Sequence, residues 1–119
     1  METNQTTGKA GQKAAENFLI KKGYKFLARN YQIKSGEIDL VVRDREFIVF
    51  VEVKARRGLE HGYPREAVGF AKQKKIIGAA KYYLYKKELT ESPVRFDVVE
   101  VLINQDQMYI SHIENAFTA

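Results

Sequence analysis

A chain of 119 residues is long enough for one domain with a single core and too short for two. With 45% hydrophobic and 29% charged residues it has the composition of an ordinary soluble globular domain. The absence of cysteine excludes disulfides and thiolate metal sites and fits a cytoplasmic setting, while a net charge of +5 and a pI near 9.4 favour a polyanionic partner, unless they mark only a basic surface.

The polar stretch Met1 to Thr7 lacks an apolar signal region and is expected to be a flexible N-terminus, with residues 8–119 forming the domain. No apolar run approaches membrane-spanning length, so no membrane partner is expected. From Gly8 to Lys22, Ala15, Phe18 and Leu19 recur at helical spacing, and Gly23 provides the stop. Glu16 falls at the edge of that apolar stripe. It either reaches a metal site on an adjacent sheet or stays a solvated helix glutamate. Tyr24 to Ile33 reads as a strand bent near Arg29-Asn30, and Lys34-Ser35-Gly36 as the turn that follows.

Two β-branched and aromatic runs then flank a charged break, Gly36 to Val42 and Phe47 to Lys54, the pattern of a β-hairpin. Strict alternation places Ile38, Leu40 and Val42 on one face and Glu37, Asp39 and Val41 on the other. In the second run Glu52 and Lys54 share a face with Ile48 and Phe50. An Asp44-Arg45 turn would set Asp39 opposite Phe50; a loop from Asp44 to Phe47 would set Asp39 opposite Glu52. Either register keeps Asp39 and Glu52 roughly 4.5–8 Å apart at Cβ. Two carboxylates that close repel unless a cation lies between them, and hard oxygen ligands suit Mg²⁺ or Mn²⁺. With Lys54 alongside, the set suits phosphodiester hydrolysis, the ammonium stabilising charge on the phosphoryl group. Glu37 could ligate metal, orient water or pair with Lys54. The competing reading of the cluster is a surface ion-pair network, which the apolar neighbours Val41, Ile48 and Phe50 disfavour.

Ala55 to Gly62 is expected to be a charged, glycine-containing loop whose Arg56 and Arg57 contact phosphates or are simply solvated. His61 reads as a surface histidine. Pro64 opens a short helix that ends at Gly69. A second helix, from about Ala71 to Leu89, buries Ile76, Ile77, Ala80, Tyr83 and Leu84 and carries Lys72, Gln73 and Lys75 on its other faces. Its tyrosines Tyr82, Tyr83 and Tyr85 are expected in the core or at its rim, with base stacking the alternative. Val94 to Ile103 and Met108 to Ile113 form a closing hairpin, Asp97 pairs with Arg95 or a helix lysine, and Phe117 anchors the C-terminus.

Asp39 followed by Glu52-Val53-Lys54 resembles the D…(D/E)xK signature of the restriction-endonuclease-like superfamily. The wider set is similar to the bacterial YraN-like family, relatives of archaeal Holliday-junction resolvases. Its pieces are Gly23-Tyr24, Arg29-Asn30-Tyr31, Gly36 to Leu40, Phe50 to Lys54, Glu66-Ala67-Val68, Arg95 to Val99 and Asn115-Ala116-Phe117, in order along nearly the whole chain. The family pattern has glutamate where this chain has Gln12, and threonine-proline where it has Gly69-Phe70. The resemblance implies an α/β restriction-endonuclease-like fold, a mixed central β-sheet flanked by helices in the order α-β-β-β-α-β-β. It further implies a Mg²⁺-dependent nuclease acting on DNA, including branched DNA such as Holliday junctions. Asp39, Glu52 and Glu16 would hold metal, Lys54 and Glu37 would assist the chemistry, and Arg56, Arg57, Lys72, Gln73 and Lys75 would contact nucleic acid. Symmetric cutting of a junction would require a homodimer. The alternatives are a nucleic-acid-binding module that keeps the fold without catalysis, and a structural adaptor whose acids form ion pairs.

Overall fold

The computed structural model describes residues 4–58 and 68–119. The elements are α1 (Asn4–Lys21), β1 (Lys25–Ile33), β2 (Gly36–Asp44), β3 (Phe47–Arg57), α2 (Phe70–Lys86), β4 (Val94–Asn104) and β5 (Gln107–Phe117). The strands form one five-stranded sheet in sequence order, antiparallel throughout except for the parallel β3–β4 pair that α2 connects. The α-β-β-β-α-β-β order and the mixed sheet are those of the restriction-endonuclease-like fold.

Each helix covers one face. Ala15 and Leu19 of α1 pack on Leu40, Val42, Val49, Val51, Val99 and Val101. Ile76, Ala79, Ala80 and Tyr83 of α2, at i, i+3, i+4 and i+7, pack on Val41, Ile48, Phe50, Phe96 and Val98. Ile77 and Leu84, expected in this core, lie at its margin. Phe50, Phe96 and Phe117 stack in series at 5.6 and 5.0 Å, and Tyr83 meets Phe50 edge-on at 5.8 Å. Phe117 is the anchor expected of it, at the end of β5. Two glycines let the helices come close. A Cβ at Gly11 would collide with that of Ala55, and one at Gly36 would stand 2.6 Å from the Lys75 carbonyl oxygen.

Several boundaries differ from expectation. α1 begins at Asn4, ahead of Gly8, and α2 stops at Lys86 rather than Leu89, where Glu88 turns left-handed at φ 56° and Leu89 N–H bonds back to the Leu84 carbonyl. Arg56 and Arg57 are not in a loop. They continue β3, paired with Leu102 and Ile103 of β4, because the apolar end of β4 supplies a parallel ladder that polar residues can occupy. The short helix expected from Pro64, and His61 and Glu66, lie outside the described residues.

Candidate carboxylate site

The hairpin pairs Leu40 with Val51, Val42 with Val49 and Asp44 with Phe47, leaving Arg45-Glu46 as the turn with Arg45 at φ 57°. This is the register in which Asp39 falls level with Glu52. The β2–β3 ladder ends at Leu40–Val51, and beyond it the Asp39 side chain takes over: its Oδ2 accepts the Val53 N–H at 2.8 Å. A side chain thus does what the next carbonyl of the ladder would have done, and the strands part here.

The alternation expected for β2 breaks at the same level. Ile38 packs with the α2-side core, whereas Leu40 and Val42 pack with the α1-side core. Opposite, Tyr31 and Ala28 of β1 both pack on the α2 side although three residues apart, with Asn30 between them at φ 51°. The left-handed residue resets the pleat on β1, and β2 follows it. A strict period of two therefore mislocates Ile38.

Asp39 and Glu52 meet at this opening. Burial, then the Glu52 charge and a hydrogen bond between the two carboxyls, push the Asp39 pKa from 3.8 up to about 7; the Val53 N–H and Lys72 act the other way. Glu52 is buried and accepts an ion pair from Lys72 Nζ at 2.7 Å. Two concavities adjoin along Val53 and Ala55. One, of about 640 Å³, holds Glu52, Lys54, Arg56, Arg57 and Lys72, an excess of positive charge. The other, of about 720 Å³, holds Asp39, Glu37, Glu16 and Gln12 together with Lys9, Lys13 and Arg29, a balanced mixture. The carboxylate pair stands where the two join.

The remaining expected site residues divide. Glu37 lines the wall beside Asp39 and is solvent-exposed. Glu16 shares that wall but is held by Arg29, Nε to Oε1 at 2.9 Å and Nη2 to Oε2 at 3.1 Å. That paired hydrogen bond draws its pKa down despite burial. Gln12 donates to Asn30 Oδ1 at 2.9 Å. Arg57 reaches back to Thr7 Oγ1 at 3.3 Å. Gln73 donates to the Val68 carbonyl at 2.8 Å, so it secures the start of α2, and Lys75 is exposed. Glu100, which the sequence reading passed over, is a buried acid in register with Lys54 on the neighbouring strand. An acid inside an apolar strand was the signal that could have found it.

Away from the site, Asp97 pairs with Arg95 as expected, at 3.0 and 2.9 Å. His112, unanticipated, completes the arrangement: Nε2 is 2.7 Å from Asp97 Oδ2 and Nδ1 2.9 Å from Lys22 Nζ. A lysine ammonium only donates, so Nδ1 accepts and Nε2 carries the proton toward Asp97. Burial raises the proton affinity of Asp97, but hydrogen bonds from His112, Arg95 and the Asn115 N–H outweigh it and leave the pKa lowered. Arg95 also holds Asp44 at 2.9 Å and Tyr24 Oη at 2.7 Å, tying β4 to the end of β2 and to the residue that precedes β1.

Among the described residues no group of three acids or imidazoles is spaced to hold a metal ion. The Asp39–Glu52 pair nonetheless has the chemistry for a hard divalent cation, which takes one or two protein carboxylates and fills its shell with water and phosphate oxygens. A cation between the two carboxylates would oppose the repulsion that, with burial, raises the Asp39 pKa.

The model of "Uncharacterised protein family UPF0102" matches residues 11–101, a span that runs from α1 into β4. A UPF0102 protein of Clostridioides difficile is 48% identical over 114 residues, covering 96% of this chain and 98% of the relative. One from Syntrophotalea carbinolica is 44% identical over 110 residues, 92% and 89% of the two chains. One from Symbiobacterium thermophilum is 45% identical over 117 residues, 98% and 99%. Both the family match and these full-length similarities place the chain in one group: it belongs to the UPF0102 family.

Proposed function

We propose that this protein is a metal-dependent nuclease that hydrolyses DNA phosphodiester bonds, with branched DNA such as four-way junctions among its substrates. The restriction-endonuclease-like element order supports a nucleic-acid-related role in general. The observation that carries the finer reading is the shielded Asp39–Glu52 pair, with Lys54 two residues on, beside a cavity rich in arginine and lysine.

In this reading Asp39 and Glu52 hold Mg²⁺ or Mn²⁺, which when bound supplies Lewis acidity toward the phosphate and its attacking water. Lys54 places an ammonium against charge developing on the phosphoryl oxygens. Glu37, solvent-accessible on the adjoining wall, orients the water or accepts its proton. Arg56, Arg57, Lys72 and Lys75 hold the flanking phosphates, and Gln73 keeps the start of α2 in place for them. Glu16 joins the metal shell only by releasing Arg29.

Purified protein is incubated with linear, single-stranded, flapped and four-way DNA, with and without Mg²⁺ or Mn²⁺. Cleavage that requires the metal and is lost in Asp39→Asn is the expected result. A rival reading, a binding module without catalysis, draws on Lys72, a cation already seated on Glu52. Salt-sensitive DNA binding without cleavage of any substrate would establish that rival in place of the nuclease.

A further inference from the structure

Lys72 arises in the first turn of α2, and its side chain is 59% exposed although its tip reaches a buried acid. Four methylenes carry the ammonium from the helix surface to Glu52 Oε2, 2.7 Å away. Beyond its contact with Glu52, the ammonium lies within reach of the charges of Asp39 and Glu37. So the ammonium is attracted by all three acids around the opening. Asp39, level with Glu52 across the hairpin, accepts the Val53 N–H through Oδ2, and among the described residues no lysine is seated on it. One monovalent cation satisfies one of two carboxylates and leaves the other short of a partner. A divalent ion would satisfy both, but it and Lys72 compete for the same oxygens of Glu52.

We infer that Lys72 is a tethered competitor for the metal position: it occupies Glu52 until a divalent cation displaces it, and then turns to phosphate in the same cavity. The inference rests on the metal-dependent reading above and adds a coupling to it. Metal releases Lys72 for the nucleic-acid backbone, and the backbone, by drawing Lys72 off Glu52, favours metal in return. The geometry suits the exchange, because Lys72 lines the same wall as Lys54, Arg56 and Arg57. A flexible lysine can move between the two positions with little disturbance of the buried core.

The test compares wild type with Lys72→Met, which removes the charge and keeps the length, and Lys72→Arg, which keeps the charge. Circular dichroism checks that each variant is folded. Mn²⁺ is titrated calorimetrically into metal-free, DNA-free protein at pH 8, where protons compete little for carboxylate ligands. Lys72→Met should bind Mn²⁺ about fivefold more tightly or better, and Lys72→Arg about as wild type does. DNA binding is then measured by anisotropy with a labelled duplex in a Lys54→Met background that prevents cleavage. Mn²⁺ should strengthen binding about tenfold more where Lys72 is present than in the Lys72→Met protein, and an equal gain in both would overturn the coupling. Equal or weaker Mn²⁺ affinity in Lys72→Met would overturn the inference and leave the metal-dependent reading standing. Uptake of no Mn²⁺ by either protein at millimolar concentration would overturn both.

Discussion

Asp39→Asn should stabilise the metal-free protein, and by an amount that depends on pH. In the folded chain the Asp39 pKa rises from 3.8 to about 7, through burial first and Glu52 second. Each tenfold change in proton affinity is worth about 1.4 kcal/mol, so ionising Asp39 in the folded state costs up to about 4 kcal/mol. Solvent screening at the open edge of the site reduces that to about 2 kcal/mol. The sign follows from proton counts. Between pH 3.8 and about 7 the folded state binds more protons than the unfolded state, so stability falls as pH rises through this window. Below pH 3.8 both states are protonated and the cost vanishes. Asparagine keeps an oxygen for the Val53 N–H and has nothing to ionise. Urea unfolding at pH 5 and pH 8 in chelator should therefore show wild type losing stability relative to Asp39→Asn by about 1–2 kcal/mol on going to pH 8. Added Mg²⁺ should restore wild type and do nothing for the variant. An Asp39→Asn protein less stable than wild type at pH 8 without metal would refute the argument, for it would make the aspartate a net stabilising ion-pair partner.

Three further outcomes are expected. Lys54→Ala should leave Mn²⁺ affinity within about twofold of wild type in calorimetry while cleavage falls by about two orders of magnitude or more, since in the proposed mechanism the lysine acts on the transition state and not on the metal. Reversing Lys72, Lys75 and Arg56 to glutamate should weaken DNA binding and flatten its dependence on salt, measured by anisotropy across a salt series, with circular dichroism unchanged. Asp97→Asn should cost about 3–5 kcal/mol in urea unfolding by leaving Arg95 without its main buried partner, and should not alter Mn²⁺ binding.

Much of the architecture can be read from the chain because its strands are long apolar runs and sequential neighbours pair. The D…ExK spacing likewise identifies the acids, since both hairpin registers keep them close. What escapes is whatever one segment imposes on another. Arg56 and Arg57 look like a loop by composition, yet β4 gives them a ladder. The pleat of β2 is reset at the level of Asn30 on β1, so period-two reasoning on β2 alone misplaces Ile38. Lys72 reads as one more cation on a lysine-rich helix, and only the packing of α2 brings it to Glu52. His112 finds Asp97 across a strand pair that is legible, but its second bond, to the end of α1, is not.

The order in which the sheet closes bears on how the site comes into being. Glu37, Asp39, Glu52 and Lys54 all belong to the antiparallel meander β1–β2–β3, whose turns join adjacent strands and form on the microsecond scale. The parallel β3–β4 joint has to wait for α2 and β4, and non-local pairing of this kind is slow. The acids are therefore gathered early, and Lys72 arrives with the crossover. A nascent chain that ends after β3 would present its carboxylates to solvent cations before its own lysine is available. Docking of α2 and β4 both completes the sheet and seats Lys72 on Glu52.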